Sequence, residues 1–349
     1  NMIRNLIIIF LMMTTMTHTV NAQSPHNPWG LVYTDALAKN EPGKVNLTPV
    51  SYHIGNLKVV ANVYTPAGYD SKQSYPAIVV AHPNGGVKEQ VAGKYAQLLA
   101  EQGFITIAFD AAYQGGSEGE PRQTDRPQNR MEDIRCAGDF IASFPGVDKE
   151  RIGVFGICGG GGYTLKTAQT DKRFKAVATL SMFNSGVVRL NGFMNTDIAR
   201  IPQKLKEATL AREAEIATGK PEYIGDMSGI TPEQAKKLPF ELYRDGYEYY
   251  LQSHAHPNST FRYTKSSLID LYAFNAADGM ELIDQPLLMI AGQEADTFYM
   301  TAECYARATG TKDKELFLVP GASHIRTYFV PEYVNLIASK LTAFFSNKL

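Results

Sequence analysis

The sequence predicts an α/β fold: a mostly parallel, doubly wound sheet with a helical cap insertion. Short, continuous apolar runs alternate with helix-compatible segments, a pattern typical of strands buried on both faces of a parallel sheet. The alternation stops between Phe183 and Asp284, where the chain is charged, aromatic and helical in pattern, and it resumes at Pro286. The 349 residues suffice for one large domain with such an insertion.

The elements can be assigned along the chain. Residues 23–49 contain Pro and Asn throughout and predict irregular structure, whereas the alternating stretch 52–65 predicts one or two antiparallel edge strands that turn near Gly55 and Asn56. The buried strands are expected at 76–81, 104–109, 152–157, 176–180, 286–291 and 315–319. The helices are expected at 88–102, 128–144, 163–170, 197–218, 231–252, 266–274, 299–309 and 331–345. The resulting organisation is a core of residues 23–182 and 285–349 with residues 183–284 as a cap over the site, and an ordinary satellite helical domain is the alternative for this insertion.

The stretch Gly156-Ile157-Cys158-Gly159-Gly160 lies between a predicted strand and a predicted helix. It matches the nucleophile-elbow pattern G-x-S-x-G, with cysteine in place of serine. Gly156 and Gly160 would let the strand and the helix cross closely around a strained turn. At a helix N-terminus the N–H groups favour the thiolate, so Cys158 is the candidate nucleophile. A small core residue is the alternative for this cysteine.

A cysteine nucleophile needs a base, and the base needs an orienting group. His324 follows the last predicted strand, and Asp296 lies in the loop after the preceding one. The carboxyl ends of parallel strands share one edge of the sheet, so these loops should meet Cys158 there. The chain order is nucleophile, acid, histidine, as in hydrolases with this elbow. Glu294 could replace Asp296, which could instead cap the next helix, and Asp110 is the third choice.

The loop after strand 76–81 is expected to complete an oxyanion hole. One donor is the N–H of Gly159, directly after the nucleophile. Pro83 has no N–H, so Asn84 is the first candidate for the second donor and Gly85 the next. Tyr113 and His82 are assigned to substrate binding, with loop packing or core packing as the alternatives.

Composition restricts the partners. The formal net charge of −1 gives no electrostatic case for nucleic acid. Cys136 and Cys304 could form a disulfide in an exported protein, but two separate thiols are favoured. No cysteine or histidine cluster has metal-ligand spacing, and His254 and His256 are expected in a surface loop. We therefore expect a small-molecule acyl substrate, with no cofactor and no metal.

The N-terminal residues predict a signal peptide over residues 1–22. Arg4 precedes an apolar run, and Val20 and Ala22 suit the −3 and −1 positions of a signal-peptidase site. The apolar run is shorter than the roughly 20 residues of a membrane span. The sequence therefore predicts a periplasmic or secreted protein, mature from about Gln23 and without a membrane span. An uncleaved anchor is the alternative.

Five segments together resemble a known family. They are H-P-N-G-G-V-K-E-Q from His82, F-D-A-A-Y-Q-G-G-S-E-G-E-P-R from Phe109, R-I-G-V-F-G-I-C-G-G-G-G-Y from Arg151, A-G-Q-E-A-D-T and P-G-A-S-H. They resemble the dienelactone-hydrolase-like branch of the α/β-hydrolases, including bacterial hydrolases grouped with Xaa-Pro dipeptidyl-peptidase-like proteins. Certain fungal polyketide thiohydrolases and acyltransferases are similar too. The resemblance runs from about Tyr52 to the C-terminus and implies an α/β-hydrolase fold with Cys158, Asp296 and His324 as triad.

The expected function is hydrolysis of an ester or thioester through an acyl-enzyme on Cys158. An acyltransferase on the same triad and a prolyl-peptidase-like peptidase are the enzymatic alternatives. A binding module on an inactive hydrolase scaffold is the non-enzymatic alternative.

Overall fold

The structure is a computed structural model that describes residues 26–349. The predicted signal peptide lies outside the described residues. Between residues 26 and 349, no helix has the length and the apolar character needed to cross a bilayer.

An eight-stranded sheet forms the centre of the molecule, in the order β1-β2-β4-β3-β5-β6-β9-β10. The first two strands are antiparallel neighbours, β2 pairs antiparallel with β4, and the remaining pairs are parallel. The sheet strands are β1 (Asn46–Ile54), β2 (Leu57–Thr65), β3 (Tyr75–Ala81), β4 (Ile105–Phe109), β5 (Val147–Ile157), β6 (Phe174–Leu180), β9 (Leu287–Gly292) and β10 (Lys314–Val319). β7 (Tyr223–Ile224) and β8 (Tyr263–Thr264) form a separate short pair.

Helices flank this sheet and fill the insertion. Those that follow or precede sheet strands are α1 (Val91–Glu101), α2 (Pro127–Ala142), α3 (Gly159–Ala168), α9 (Phe298–Arg307) and α10 (Pro331–Lys348). Those of the insertion are α4 (Ser185–Asn191), α5 (Ile201–Thr218), α6 (Pro232–Ala235), α7 (Glu241–Glu248) and α8 (Leu268–Tyr272). The α/β fold with a mostly parallel sheet is therefore confirmed.

The central strands are buried because they are covered on both faces. All residues of β4 and of β9 are buried, as are the last six of β5. Burying apolar side chains contributes roughly 25 cal/mol per Å² removed from water, so these runs supply the main stabilisation of the fold. They also fix the edge of the sheet at which β3, β5, β9 and β10 end and the loops after them begin.

Several boundaries differ from the sequence prediction. β1 begins at Asn46 and includes Pro49, which an edge strand tolerates because one side of it has no partner. The predicted helix 231–252 is interrupted between Ala235 and Glu241, where Pro239 cannot supply a helical N–H. α7 then continues as a π-helical turn over Tyr249–Ser253.

The two cysteines outside the predicted elbow, Cys136 and Cys304, form no disulfide. Cys304 is buried and Cys136 is half-buried, in agreement with two separate thiols. His254 differs from the prediction, because it is buried rather than in a surface loop. Its ring stacks on Tyr249 at 4.5 Å between centroids, and its carbonyl accepts a hydrogen bond from Gln90.

Candidate active site

Cys158 lies in the turn between β5 and α3. Its backbone has φ +55° and ψ −124°, a conformation that L-residues rarely adopt. A Cβ on Gly156 would lie 2.4 Å from the Gly160 carbonyl oxygen, and a Cβ on Gly160 would lie 2.5 Å from that of His82. Only glycine permits this crossing, which confirms the strand, sharp turn and helix predicted for this stretch. Because α3 begins at Gly159 rather than at the predicted residue 163, its first N–H groups lie directly beside the cysteine.

Two backbone N–H groups lie within hydrogen-bonding reach of the Cys158 sulfur. They belong to Gly159 and Asn84, the two residues predicted to form the oxyanion hole. The Asn84 side chain is held by a 2.7 Å hydrogen bond from its Nδ2 to Ser185 Oγ. Gly85, the second choice, has φ +72° and packs against the carbonyl of Thr260. The structure thus brings both donors to the sulfur, and their action on an oxyanion stays a prediction.

His324 lies in the loop after β10 and is buried. Its Nδ1 is 2.6 Å from the hydroxyl of Thr297, and its Nε2 is 3.0 Å from the hydroxyl of Tyr328. The hydroxyls of Thr327 and Ser181 donate to its carbonyl oxygen. Both the ring and the backbone of this histidine are therefore fixed.

The Tyr328 hydroxyl connects the histidine to the nucleophile. It lies close enough to the Cys158 sulfur to lower the pKa of the thiol, and it is 3.0 Å from His324 Nε2 on the other side. The ring of Tyr249 packs edge-on against Tyr328 at 5.4 Å between centroids, which holds the phenol in place. The resulting chain of contacts runs from sulfur through phenol and imidazole to the Thr297 hydroxyl.

Burial determines the protonation states in this site. It raises the pKa of Cys158, although the Tyr328 hydroxyl and the N–H groups of Gly159 and Asn84 act in the opposite direction. It lowers the pKa of His324 to about 3. The resting state near neutral pH is therefore a thiol beside a neutral imidazole. The N–H groups at the helix N-terminus act in the expected direction, but burial outweighs them.

None of the three acids considered from the sequence contacts His324. The carboxylate of Asp296 accepts a 3.1 Å hydrogen bond from the N–H of Leu242 in the first turn of α7. Burial raises the pKa of Asp296, and this N–H opposes the shift. Glu294 is exposed, and Asp110 is paired with Lys88 at 3.0 Å. In this geometry the hydroxyl of Thr297, the next residue along the chain, takes the place predicted for the acid.

The structure places His82 and Tyr113 in contact with the backbone of the loops around the site. His82 is fully buried, with Nδ1 2.7 Å from the Pro83 carbonyl and Nε2 accepting from the N–H of Ala111, so both ring nitrogens are engaged by backbone. Burial, with Arg130 nearby, lowers the pKa of His82 to about 3. The Tyr113 ring packs against Gly119, where a Cβ would lie 2.5 Å from it. These contacts agree with the packing alternative for each residue, and the assignment of either to substrate binding stays a prediction.

Comparison with known proteins identifies the family. The model of the dienelactone hydrolase family matches residues 61–184. The uncharacterized protein YcjY of Escherichia coli K12 is 38% identical over 84% of this chain and 95% of its own length. The chain belongs to the dienelactone hydrolase family. The matched segment of this family member contains β3, the elbow and the predicted oxyanion loop.

Solved structures show that this dienelactone hydrolase family member shares its fold with α/β-hydrolases. The crystal structure of the hypothetical protein PA2218 from Pseudomonas aeruginosa has a TM-score of 0.78 and 30% identity, and covers 91% of this chain and 99% of that one. The α/β hydrolase GrgF from Penicillium has a TM-score of 0.70 at 19% identity, with coverage of 87% and 99%. A curated GrgF sequence is described as a polyketide transferase. The GrgF structure supports the shared fold alone.

Two side chains of this family member were missed from the sequence. Thr297 directly follows Asp296, and no pattern indicates which of the two faces the histidine. Tyr328 lies four residues after His324, in a turn where Arg326–Tyr328 forms one 3₁₀ turn. That spacing brings side chains to one side of a helical turn, and it is the only signal that could have indicated the contact.

Proposed function

We propose that this protein cleaves an ester or thioester through an acyl-enzyme on Cys158. The observation that supports this most directly is the continuous contact from the Cys158 sulfur through Tyr328 to His324, with two N–H groups at the same sulfur. A nucleophile, a base and oxyanion donors are the parts that acyl transfer requires.

In this proposal the proton of the Cys158 thiol reaches His324 through the Tyr328 hydroxyl. The thiol proton passes to the Tyr328 oxygen while the phenolic proton passes to His324 Nε2. This leaves a thiolate that accepts a hydrogen bond from the phenol, and an imidazolium whose Nδ1–H donates to Thr297. No carboxylate neutralises this imidazolium in the present geometry, so the charged pair is short-lived and forms as the substrate is attacked.

Acylation of Cys158 and hydrolysis of the acyl-enzyme then follow. The thiolate attacks the carbonyl carbon, a C–S bond forms, and the carbonyl electron pair moves to the oxygen between the N–H groups of Gly159 and Asn84. The C–O or C–S bond to the leaving group breaks, and the leaving group takes the proton from His324. Water attacks the resulting thioester, His324 accepts its proton by way of Tyr328, and the carboxylic acid and the thiol are released.

A second candidate is acyl transfer to an alcohol acceptor. The Cys158 residue is only 9% exposed, so access of water to an acyl-enzyme is restricted. An acceptor that fits beneath the insertion would compete with water. The curated description of GrgF as a polyketide transferase supports keeping this alternative.

The experiment is covalent labelling with p-nitrophenyl butyrate, followed by mass spectrometry of the intact protein and its peptides. We expect one butyryl group on Cys158, no label in Cys158→Ala, and unchanged labelling in the matched control Cys136→Ala. Release of the label with and without an alcohol acceptor separates hydrolase from transferase. Labelling that persists in Cys158→Ala, or an absence of labelling in every variant, contradicts the proposal.

We also propose that the protein is exported. Arg4, the apolar run after it, and the pair Val20 and Ala22 support cleavage after residue 22. N-terminal sequencing of protein expressed with its own leader should begin at about Gln23. Uncleaved protein recovered from the cytoplasm contradicts this.

A further inference from the structure

A small polar cavity lies beside the oxyanion loop, between the core and the insertion. Its volume of about 30 Å³ has room for roughly two waters, or for a group such as hydroxymethyl. The polar side chains in its wall include Asn84, Gln114, Gln123, Asp125, Arg189 and Arg262. Asn84 is shared between this wall and the oxyanion loop, because its backbone N–H also faces the Cys158 sulfur.

Several buried polar atoms in this wall lack partners. Arg189 Nε, Gln123 Oε1 and Asn84 Oδ1 are each shielded from solvent without a hydrogen bond. Among the salt bridges of residues 26–349 none involves Arg189, whose guanidinium lies over the rings of Phe183 and Tyr263 at 5.9 and 5.1 Å. Unpaired buried polar groups cost about 1 to 3 kcal/mol each, which a ligand that bonds them would recover.

The charges of the wall select among ligand groups. A carboxylate would face Arg189 and Arg262 favourably but would also face Asp125 and two amide oxygens. An ammonium group would face Arg189 and Arg262. A neutral hydroxyl avoids both repulsions, because it donates to the amide and carboxylate oxygens and accepts from the guanidinium.

We propose that this cavity binds a hydroxylated arm of the ester substrate, with Arg189 and Gln123 as specificity-determining residues. The inference rests on the proposed function, because it places this arm next to a carbonyl held at Cys158. Gln114 and Asp125 extend the same wall, and the amide of Gln114 donates to Asp125 over a long 3.4 Å, which leaves the carboxylate free to accept from a hydroxyl.

Pairs of esters that differ only in hydroxyl groups test whether the protein prefers a hydroxylated substrate. They also test whether the hydroxyl belongs on the alcohol arm or on the acyl arm of the ester. For the alcohol arm the pair is propyl butanoate and 2,3-dihydroxypropyl butanoate, and for the acyl arm it is ethyl butanoate and ethyl 3-hydroxybutanoate. We expect kcat/KM for the hydroxylated member of at least one pair to be tenfold higher or more, on the order of one or two hydrogen bonds to a charged group. Ethyl 4-aminobutanoate and monoethyl succinate serve as the charged comparators.

The variants Arg189→Met and Gln123→Met should abolish this preference, whereas Arg200→Met, an exposed arginine of the insertion, should preserve it. Equal rates within both pairs, or a preference for either charged ester, overturns the inference. Binding to Cys158→Ala, measured by calorimetry with the same four uncharged esters, tests it separately from the chemistry. If no ester acylates Cys158, the proposed function fails, while a preference in binding would still support the cavity assignment.

Discussion

Tyr328 places its hydroxyl between the nucleophile and His324. In a direct thiol–imidazole pair the histidine nitrogen contacts the sulfur, whereas here Nε2 contacts the phenol at 3.0 Å. The phenol is therefore either a proton carrier or an obstruction, and these two roles give opposite results when the oxygen is removed.

The substitution Tyr328→Phe removes only that oxygen. We expect acylation of Cys158 to slow by about 100-fold or more, the usual contribution of a positioned proton-transfer group. The measurement is single-turnover acylation across pH, since loss of the carrier should also move the reaction toward alkaline pH, where the thiol ionises without help. Tyr249→Phe, which removes a hydroxyl from the ring packed on Tyr328, is the control. Faster acylation in Tyr328→Phe would mean that the phenol obstructs the histidine.

A second residue-scale question is which side chain orients His324. Since the Thr297 hydroxyl is 2.6 Å from Nδ1, we expect Thr297→Val to lower kcat by roughly tenfold to 100-fold through loss of the correct tautomer. Asp296→Asn should have a smaller effect, because its carboxylate bonds the backbone of α7. Steady-state kinetics of both variants decide between them. A larger loss in Asp296→Asn would restore the aspartate as the acid in the working enzyme.

At the scale of elements, the elbow depends on two glycines that let β5, β3 and α3 approach one another. The Cβ introduced by Gly160→Ala would lie 2.5 and 2.6 Å from the carbonyl oxygens of His82 and Ala81, and backbone cannot give way as a flexible side chain can. We expect a loss of about 1 to 3 kcal/mol in the free energy of unfolding, measured in urea, together with reduced labelling of Cys158. Gly229→Ala, which has open space around it, is the control. A stable and active Gly160→Ala protein would contradict the close crossing.

The elements themselves were largely predictable from the sequence. The continuous apolar runs of β3, β4 and β9 are typical of strands buried on both faces of a sheet. The predicted bounds of these strands therefore agree with the structure to within a residue or two. Helix starts were less predictable. The glycines after Cys158 have weak helix propensity, yet α3 begins among them because the elbow and the tertiary contacts fix the turn.

At the scale of the whole molecule, buried neutral histidines couple folding to pH. The pKa of His82 is about 3 in the folded protein and near 6.5 when unfolded, so between these values the unfolded chain binds more protons. Stability therefore rises with pH through this window and is lost as pH falls below about 6.5. Relative to wild type, His82→Gln should lose less stability between pH 7 and pH 5, by up to about 2 kcal/mol.

Urea unfolding at the two pH values measures this difference. The exposed His53→Gln is the control and should retain the slope of the wild type. An unchanged slope in His82→Gln would mean that this histidine is not kept neutral by burial.

The candidate site was predictable only in part, for a reason that also acts at this scale. Parallel strands release their loops at one edge, so the convergence of Cys158, Asn84 and His324 follows from the order of strands and loops. Whether Asp296 or Thr297 contacts His324 depends on a shift of one residue in the loop after β9. It also depends on where the N–H groups at the start of α7 lie. The position of Tyr328 depends on one 3₁₀ turn. Packing between distant segments determines both the partner of His324 and the position of Tyr328. The order of elements along the chain does not predict this packing.

The tight enclosure of Cys158 has a further consequence for chemical probes. The Cys158 residue is only 9% exposed and has Tyr243 and Tyr250 of the insertion near it, so the dimensions of a reagent matter as much as its electrophilicity. Compact alkylating agents should inactivate the protein more readily than bulky maleimides of greater intrinsic reactivity. Selective inhibitors would then be slender molecules whose warhead follows a narrow polar head, and screening collections of large, flat electrophiles would miss them.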